Sequence, residues 1–272
     1  MKFGKSIKTI WKFAIDNYFL SIFLAVIVFV VIISAYKLFL PKPTYIYAKI
    51  KVSQGLWWAT TAKPYIWFVK AIKKGDVEVD LVGKPIAEIL SIRYYPWFGS
   101  EQYVVYLNLK LRVSNNKKTG KYTFKRSTIG VASPIDLEFP SVQLSGTIID
   151  INDQPLKDMS IEKTITLTKK NAYPWEYEAI QIGDSYFDGE ETMFSIIDKA
   201  ATETRILIED AQGNYPIDSE QRRYIVLKAK MKMDNIDNQL FFGPEQKITL
   251  GRTINISTNK FTFNDYTISK VE

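Results

Sequence analysis

The chain of 272 residues contains no cysteine and no histidine. Without cysteine it can form neither a disulfide framework nor a thiolate zinc site. Without histidine it lacks the usual general base of Ser-His-Asp and Cys-His enzymes, and the imidazole ligand of many metal sites. A glycine-rich phosphate loop and a nucleophile elbow are missing as well. These absences predict a protein that is not an enzyme, with no catalytic residue, no cofactor and no small-molecule ligand.

The net charge of +7 is unevenly distributed. Residues 1–71 carry ten lysines and one acid, whereas residues 180–272 carry 11 basic and 15 acidic side chains. A nucleic-acid footprint would place its positive charge on the folded body, so no nucleic-acid partner is expected. Basic residues beside an apolar segment are instead typical of contact with anionic lipid headgroups.

The longest apolar run extends from Tyr18 to Leu40, and Lys37 is its only charged residue. Its length matches the roughly 20 residues that cross about 30 Å of hydrocarbon. Aromatic side chains lie near both ends, and Pro41 and Pro43 follow it and end the helix. The sequence therefore predicts a transmembrane helix over residues 18–40, preceded by a basic tail over residues 1–17.

Lysines on both sides of this run are expected to contact the membrane surface. The N-terminal side has four lysines and the α-amino group, and the C-terminal side has four lysines. This small excess predicts a cytoplasmic N-terminus and an extracytoplasmic C-terminal body. The predicted location is the cell membrane, with the lipid bilayer as one partner. The predicted surface residues are Lys2, Lys5, Lys8, Lys12 and Lys37.

Beyond Pro43 the apolar pattern has the period of two that is typical of a half-buried strand. In residues 45–52, Ile46, Ala48, Ile50 and Val52 alternate with more polar neighbours. In residues 106–113 the apolar positions are Leu107, Leu109, Leu111 and Val113. Helical patterns are few after the apolar run. The predicted fold class is mainly β, with one N-terminal transmembrane α-helix.

The second half of this body repeats the first. Residues 72–76 match 180–184, Ile129-Gly130 matches Leu250-Gly251, and residues 147–151 match 267–271. The repeat predicts two tandem small β units, barrel-like or sandwich-like. Residues 41–71 are predicted to be a membrane-proximal strand and aromatic segment. Residues 72–151 are predicted to form the first β unit. Residues 152–179 are a connecting strand or linker, and 180–272 a diverged second unit. The alternating strand residues also match 120 positions later: Leu227, Ala229, Met231 and Met233.

Four segments resemble an uncharacterised bacterial family of single-span membrane proteins with an extracytoplasmic β domain of unknown function. They are Phe3-Gly4-Lys5, Ala71–Asp76, Val82–Ile89 and Leu144–Ile151. The resemblance covers about residues 1–151, and the second copy departs from it. It implies the topology predicted above and brings no assigned activity.

Two acidic segments invite a metal-site interpretation. Asp76, Glu78 and Asp80 alternate along a strand, where they form either a Ca²⁺ site or a solvated edge whose charges deter strand pairing. Residues 184–191 resemble a calcium loop, but Tyr186 and Ser195 occupy the third and twelfth positions, where that loop needs ligands. The sequence therefore favours a charged edge and an acidic turn, and no metal.

Aromatic residues are the remaining candidates for contact with other molecules. The aromatic residues just after the apolar run have three possible roles. They lie in the lipid headgroup layer around the helix, contact a partner protein, or pack within the first β unit. Aromatic residues also occur in a predicted loop at residues 94–99 and in its apparent counterpart at 173–175. Three roles are open for them: stacking on sugar rings, filling a pocket of a neighbouring protein, or local packing. The candidate interface residues are Trp57, Trp58, Tyr65, Trp67, Phe68, Tyr95, Trp97 and Trp175.

The leading interpretation is a non-enzymatic, membrane-anchored structural or scaffolding subunit of a cell-envelope or secretion-type assembly. Its partners would be other protein subunits, either copies of itself or components of an envelope complex. A cell-wall polysaccharide binding or processing protein is the second interpretation. An adaptor of an export pump is the third, although no stretch is long enough for the helical hairpin that such adaptors carry.

Overall fold

The computed structural model describes residues 16–39, 43–53, 63–97, 101–116, 119–156, 160–208 and 218–272. Within these ranges, the side chains of residues 35–39, 205–208 and 218–220 are not described. The described residues divide into two compact units, one ending at Thr44 and the other running from Tyr45 to Glu272. The first contains helix α1 (Tyr18–Phe39).

Helix α1 lies within the apolar run that the sequence predicts to be helical. Every large apolar side chain from Tyr18 to Ile33 is exposed. Within the described ranges, no helix combines the length and the apolar character that crossing a membrane requires. The transmembrane helix therefore stays a prediction from the sequence.

The second unit contains two antiparallel sheets of eight strands each. The strands of the first sheet are β1 (Thr44–Ser53), β2 (Val77–Val79), β3 (Pro85–Pro96), β4 (Tyr103–Asn116), β5 (Lys121–Phe124), β6 (Ser127–Ile129), β7 (Pro134–Glu138) and β8 (Gln143–Asn152). Their order is β2-β3-β4-β1-β8-β7, and β5 pairs with both β4 and β6. The short helix α2 (Ile66–Ala71) lies between β1 and β2 in the chain.

The second sheet has the same strand order. Its strands are β9 (Ser160–Ala172), β10 (Ser185–Phe187), β11 (Thr192–Ile208), β12 (Asp218–Ile236), β13 (Gln239–Phe242), β14 (Gln246–Lys247), β15 (Thr253–Ser257) and β16 (Thr262–Val271). They follow the order β10-β11-β12-β9-β16-β15, and β13 pairs with both β12 and β14. Helix α3 (Pro174–Ala179) follows β9 as α2 follows β1. The mainly β fold and its two similar sheets are thereby confirmed.

Irregularities of the strand ladders recur at the same places in both sheets. The β2–β3 ladder skips Ile86, and the β10–β11 ladder skips Met193. The β3–β4 ladder skips Leu90, and its counterpart skips Ile197. A β-bulge leaves one residue unpaired and bends its strand, so its position is a sensitive marker of register. We therefore align the two sheets residue by residue and name residues 44–152 repeat 1 and residues 160–271 repeat 2.

The boundaries predicted for the two β units are wrong. β1, predicted to lie in a membrane-proximal segment, is a central strand of repeat 1 and pairs with β4 and β8. β9, predicted to be a connecting strand or linker outside the second unit, has the same place in repeat 2. The reason is that both strands pair with partners distant in the sequence, which no local pattern reveals.

Most of the predicted correspondences between the halves agree with the structure. Gly75 and Gly183 both have positive φ. The N–H of Gly75 donates to the carbonyl of Ile89, and the N–H of Gly183 donates to the equivalent carbonyl, that of Ile196. The match of Gly130 with Gly251 is wrong by two positions. Gly251 donates to the carbonyl of Ile268, and Ala132 makes the equivalent bond to Ile148 and also has positive φ.

Each sheet covers one hydrophobic core. The predicted inward residues of β1 and β4, from Ile46 to Val52 and from Leu107 to Val113, are buried in the core of repeat 1. Tyr106 was expected on the polar face of β4, yet it is buried in the core of repeat 2 together with Tyr95 and Val104. Repeat 2 covers this end of repeat 1, so three side chains of β3 and β4 complete the core of the other repeat.

Candidate interaction surfaces at the junction of the repeats

The junction centres on Asp188, which begins the turn between β10 and β11. One carboxylate oxygen, Oδ1, accepts hydrogen bonds from the backbone N–H groups of Glu190 and Glu191, each at 3.0 Å. The other, Oδ2, accepts from Arg93 at 2.8 Å and from the Tyr95 hydroxyl at 3.2 Å. Asp188 is fully buried, so its charge depends on these donors from repeat 1.

A second carboxylate extends the same network. Glu191 accepts a hydrogen bond from Arg93 at 2.8 Å and pairs with Lys232. The hydrogen bond from Lys232, followed by that from Arg93, holds the pKa of Glu191 below its ordinary value of 4.5. Two cations and two carboxylates thus lie together, and their charges balance. Glu191 and Lys232 are partly exposed, whereas Asp188 is fully buried and Arg93 nearly so. Removal of Arg93 would therefore leave the buried charge of Asp188 without its partner from the other repeat.

The backbones of the two repeats also meet directly. The N–H of Tyr94 donates to the carbonyl of Asp188 at 2.8 Å, and the Tyr186 hydroxyl donates to the carbonyl of Tyr94. Gly189 has a φ of +111°, and a Cβ added to it would lie 2.6 Å from the carbonyl oxygen of Ile92. Only glycine fits at this position, both for its conformation and for the approach of β3.

Tyr95 fills a socket on repeat 2. Its ring centroid lies 5.6 Å from that of Phe242 and 6.4 Å from that of Tyr186. A Cβ added to Gly243 would lie 3.1 Å from the ring, so this second glycine leaves room for it. Burial raises the pKa of Tyr95, and the charge of Asp188 adds to that effect. Besides Glu191, five residues of repeat 2 contact Arg93 or Tyr95, and we name these five the filled socket: Tyr186, Asp188, Met193, Phe242 and Gly243.

An open cleft of 390 Å³ lies beside the filled socket. Glu245 in its wall accepts a hydrogen bond from the Tyr106 hydroxyl at 2.9 Å and pairs with Lys51. Burial is the largest influence on the pKa of Glu245 and raises it, but the bonds from Lys51 and Tyr106 bring it below its ordinary value. The lining residues include Tyr95, Trp97, Tyr106, Phe242, Glu245, Lys247, Arg252 and Asn255.

Cations outnumber anions around this cleft. No salt bridge joins Lys247 or Arg252 to any residue in the described part of the chain. Lys63 places its Nζ 3.3 Å from the centre of the Trp97 ring, and Trp97 remains 42% exposed. The cleft therefore combines an aromatic wall with a basic rim.

An exposed aromatic pair occurs at the start of both short helices. Tyr65 and Trp67 begin α2, and Tyr173 and Trp175 begin α3, 108 residues later. Trp67 is 67% and Trp175 is 58% exposed. The predicted counterpart of the 173–175 segment was the loop at residues 94–99, and that assignment is wrong. Shared Tyr-Pro-Trp letters suggested it, whereas the order of elements aligns α3 with α2.

The structure divides the predicted interface residues into groups. Tyr65, Trp67, Trp97 and Trp175 are exposed, as an interface requires. Tyr95 is buried in the filled socket, with only its edge in the wall of the cleft, and Phe68 is partly buried against the core of repeat 1, so neither is exposed as the other four are. The predicted residues that lie outside the described part of the chain are Lys2, Lys5, Lys8, Lys12, Trp57, Trp58 and the side chain of Lys37.

The acidic strand predicted to be a solvated edge differs from that expectation. Glu78 is buried and pairs with Lys125, while the Asp76 carboxylate accepts a bond from the Ser141 hydroxyl. Asp80 accepts bonds from the N–H groups of Lys84 and Val82, which hold its pKa below the ordinary value although burial opposes them. The described ranges contain no group of three or more acidic side chains placed to hold a metal ion.

Sequence reasoning placed Asp188 and Glu191 in an acidic turn but missed Arg93 and Lys232 as their partners. Nothing local indicates this pairing, because Arg93 and Asp188 are 95 residues apart. A signal was nevertheless present. The residue after the turn aspartate is Leu81 in repeat 1 and Gly189 in repeat 2, and the turn of repeat 1 is one residue longer, with its positive-φ glycine at Gly83. Lys125 aligns with Gly243. Glycine in one copy and a large residue in the other indicates that something approaches only one copy.

Comparison with known proteins finds no matching family model, no matching curated protein and no matching solved structure. What the chain does must therefore be inferred from its residues and their geometry.

Proposed function

We propose that this protein is a non-enzymatic, membrane-anchored scaffolding subunit that presents its tandem β body outside the membrane. The repeated pair of exposed aromatics at the starts of α2 and α3 carries this proposal. Large aromatic side chains are enriched at the centres of protein interfaces, where they bury much surface at little cost in side-chain entropy. Two such pairs on one rigid body suit a subunit that engages several partners or several copies of one.

The anchor is supported by α1 and by the sequence around it. The large apolar side chains of α1 from Tyr18 to Ile33 are exposed on all sides, which is costly in water and favourable in hydrocarbon. In the sequence the apolar run continues to Leu40, which gives it the length of a span. The resemblance of residues 1–151 to a single-span bacterial family supports the same topology.

The interface is tested with Trp67→Ala and Trp175→Ala in the full-length protein. Because both side chains are exposed, we expect the free energy of unfolding to change by less than about 0.5 kcal/mol. Co-purification of partner subunits in mild detergent should weaken by at least about tenfold, the effect of losing an interface hot spot. Phe68→Ala is the matched control, since it packs against the core and should lower stability instead. Unchanged co-purification in both tryptophan variants would contradict the proposal.

The anchor is tested by removing residues 1–43. We expect the remaining chain, which includes the whole compact unit from Tyr45 onward, to leave the membrane fraction and to keep its β content by circular dichroism. The full-length chain should stay in the pellet after an alkaline carbonate wash. A truncated chain that also stays in the pellet would contradict a single N-terminal anchor.

The cleft favours a second candidate function, binding of an acidic cell-wall polysaccharide. Its aromatic wall offers a ring face at Trp97 for stacking on a sugar, and Lys247 and Arg252 offer donors for carboxylate or phosphate groups. Calorimetric titration with acidic and neutral oligosaccharides tests this function. Binding of the acidic sugar that Trp97→Ala removes and Trp175→Ala leaves intact would support it, and equal binding of both sugars would contradict it.

A further inference from the structure

Repeat 1 contains an unfilled counterpart of the filled socket. A cavity of 510 Å³ lies on repeat 1, and five of its lining residues align with the five of the filled socket. Glu78 aligns with Tyr186, Asp80 with Asp188, Ile86 with Met193, Phe124 with Phe242 and Lys125 with Gly243. We name this group the open socket.

The central aspartate has the same local geometry in both sockets. Oδ1 of Asp80 accepts hydrogen bonds from the backbone N–H groups of Val82 and Lys84. Oδ1 of Asp188 accepts hydrogen bonds from those of Glu190 and Glu191. In the filled socket the other oxygen bonds to Arg93 and Tyr95 of the neighbouring repeat. In the open socket the other oxygen of Asp80 lies 3.6 Å from Arg112, and the side chain remains partly exposed.

A buried acceptor in the open socket still lacks a donor. Glu78 is 6% exposed, and its Oε1 pairs with Lys125. No hydrogen-bond donor in the described part of the chain reaches its Oε2. An unsatisfied buried carboxylate oxygen carries a desolvation cost that no hydrogen bond offsets, so the site is poised to accept a donor from outside. The apolar residues beside it point the same way, because Leu81 is fully exposed and Val82 is 75% exposed.

The counterpart of the segment that fills the socket is present in repeat 2, in the middle of β11. The filled socket receives the end of the β3–β4 hairpin, and the counterpart in repeat 2 is the longer β11–β12 hairpin. By the aligned ladders, Ala200, Ala201 and Thr202 replace Arg93, Tyr94 and Tyr95. Ala200 and Thr202 are exposed.

Small and large residues change places between the filled socket with its β3 segment and the open socket with the β11 segment. In the junction, Gly189 faces the large Tyr94, and Gly243 faces the large Tyr95. The corresponding partners are Leu81 with Ala201, which is partly buried against the core of repeat 2, and Lys125 with the exposed Thr202. A large residue in the socket thus meets a small one on β11, and the combined volume is kept. The Thr202 hydroxyl is the side-chain donor that this segment offers to the open socket.

We propose that the open socket of one copy binds the Ala200–Thr202 segment of β11 in a second copy, so that chains associate head to tail as the repeats do within one chain. This proposal rests on the scaffolding role and names its partner. The contact is heterologous, since a socket meets a hairpin and not another socket. Heterologous contacts extend into rings or filaments instead of stopping at a dimer.

The absence of cysteine makes site-specific cross-linking a clean test. Leu81→Cys and Ala200→Cys are introduced into the full-length protein, singly and together, and the membrane-bound protein is treated with a short bismaleimide. We expect the double variant to give a ladder beyond the dimer, and an equimolar mixture of the two single variants to stop at the dimer. Each single variant alone should stay monomeric, because sockets do not face sockets.

A matched control replaces the socket position by an equally accessible one. Leu250 is 61% exposed and lies outside both sockets, so Leu250→Cys with Ala200→Cys should give no ladder. A ladder of equal yield in this control, or dimers from Leu81→Cys alone, would overturn the head-to-tail contact. If the double variant gives no ladder while other subunits still co-purify, the contact between copies is overturned. The scaffolding role would not be contradicted by that result.

The mass of the assembly, measured by sedimentation without cross-linker, provides a second test of the same contact. Leu81→Asp should reduce the assembly of full-length protein in mild detergent to the monomer, and Leu250→Asp should leave its mass unchanged. Both positions are exposed, so neither change should affect folding. An assembly whose mass is the same in both variants and in the unaltered protein would contradict the proposal.

Discussion

The two sockets of this protein occupy the same place in their sheets and differ in whether a neighbour occupies them; their aspartate turns differ in length by one residue. Repeat 2 has Gly189 beside its socket and Gly243 in it, and an added Cβ at either would lie within 3.1 Å of an atom of β3. Repeat 1 has Leu81 after its aspartate and Lys125 in its socket, and Leu81 is fully exposed. The difference shows that contact between repeats, and not the strand order, decides which residue each turn requires.

The two central aspartates extend the comparison to charge. Asp188 is fully buried and takes its hydrogen bonds partly from the other repeat, whereas Asp80 is partly exposed and takes its bonds from its own turn. Burial of a charge is tolerated only where partners replace the lost water. The same turn therefore serves as a local cap in one repeat and as a docking point in the other.

The largest effect is expected from placing the open-socket residue in the filled socket. Gly189→Leu puts a Cβ 2.6 Å from the carbonyl of Ile92 and 2.9 Å from the Tyr94 ring, at a φ that side chains rarely adopt. We expect a loss of more than about 4 kcal/mol in the free energy of unfolding, measured by denaturant titration. The reverse change, Leu81→Gly, should cost no more than about 1 kcal/mol. Similar losses in both variants would remove the distinction between the sockets.

Truncation of the guest side chain should have the next largest effect. Tyr95→Ala empties the filled socket and removes one donor from Asp188, so we expect a loss of about 3–5 kcal/mol. Its counterpart Thr202 is exposed, and Thr202→Ala should stay within about 0.5 kcal/mol in a monomeric preparation. The same denaturant titration measures both. A Tyr95→Ala loss below 1 kcal/mol would show that the ring does not hold the repeats together.

A smaller effect is expected from pH. The pKa of Glu191 is lowered in the folded protein by Lys232 and Arg93, so its carboxylate contributes stability above the ordinary value of 4.5. That contribution should be lost as the pH falls below 4.5 and through the lowered pKa, because protonation breaks both pairs. Thermal melting between pH 7 and pH 3 should therefore show a steeper decline in the unaltered protein than in Glu191→Gln. Parallel declines would contradict the assigned role of Glu191.

Much of the fold could be predicted because its signals are local. The alternation of Ile46, Ala48, Ile50 and Val52 predicted a strand with these residues inward, and all four are buried. The match of residues 147–151 with 267–271 also agrees with the bulges at Ile149 and Ser269. Period-two patterns report which side of a strand is apolar, and that is a property of consecutive residues.

The junction could not be predicted because its signals are not local. Tyr106 and Tyr95 read as ordinary strand and loop aromatics, and only the covering repeat makes them core residues. The pairing of Arg93 with Asp188 joins positions 95 residues apart, and 36 basic and 29 acidic residues offer too many alternatives. Aligning the repeats before interpreting single residues would have exposed the change from Leu81 to Gly189.

A double-mutant cycle between Arg93 and Asp188 tests the central claim, that the two repeats are joined by a filled socket. Arg93→Ala, Asp188→Asn and the double variant are compared by denaturant titration with the cycle for the open-socket pair, Arg112→Ala and Asp80→Asn. We expect a coupling energy of about 2–3 kcal/mol across the junction and less than about 1 kcal/mol in the open socket. Additive effects at Arg93 and Asp188 would contradict the claim.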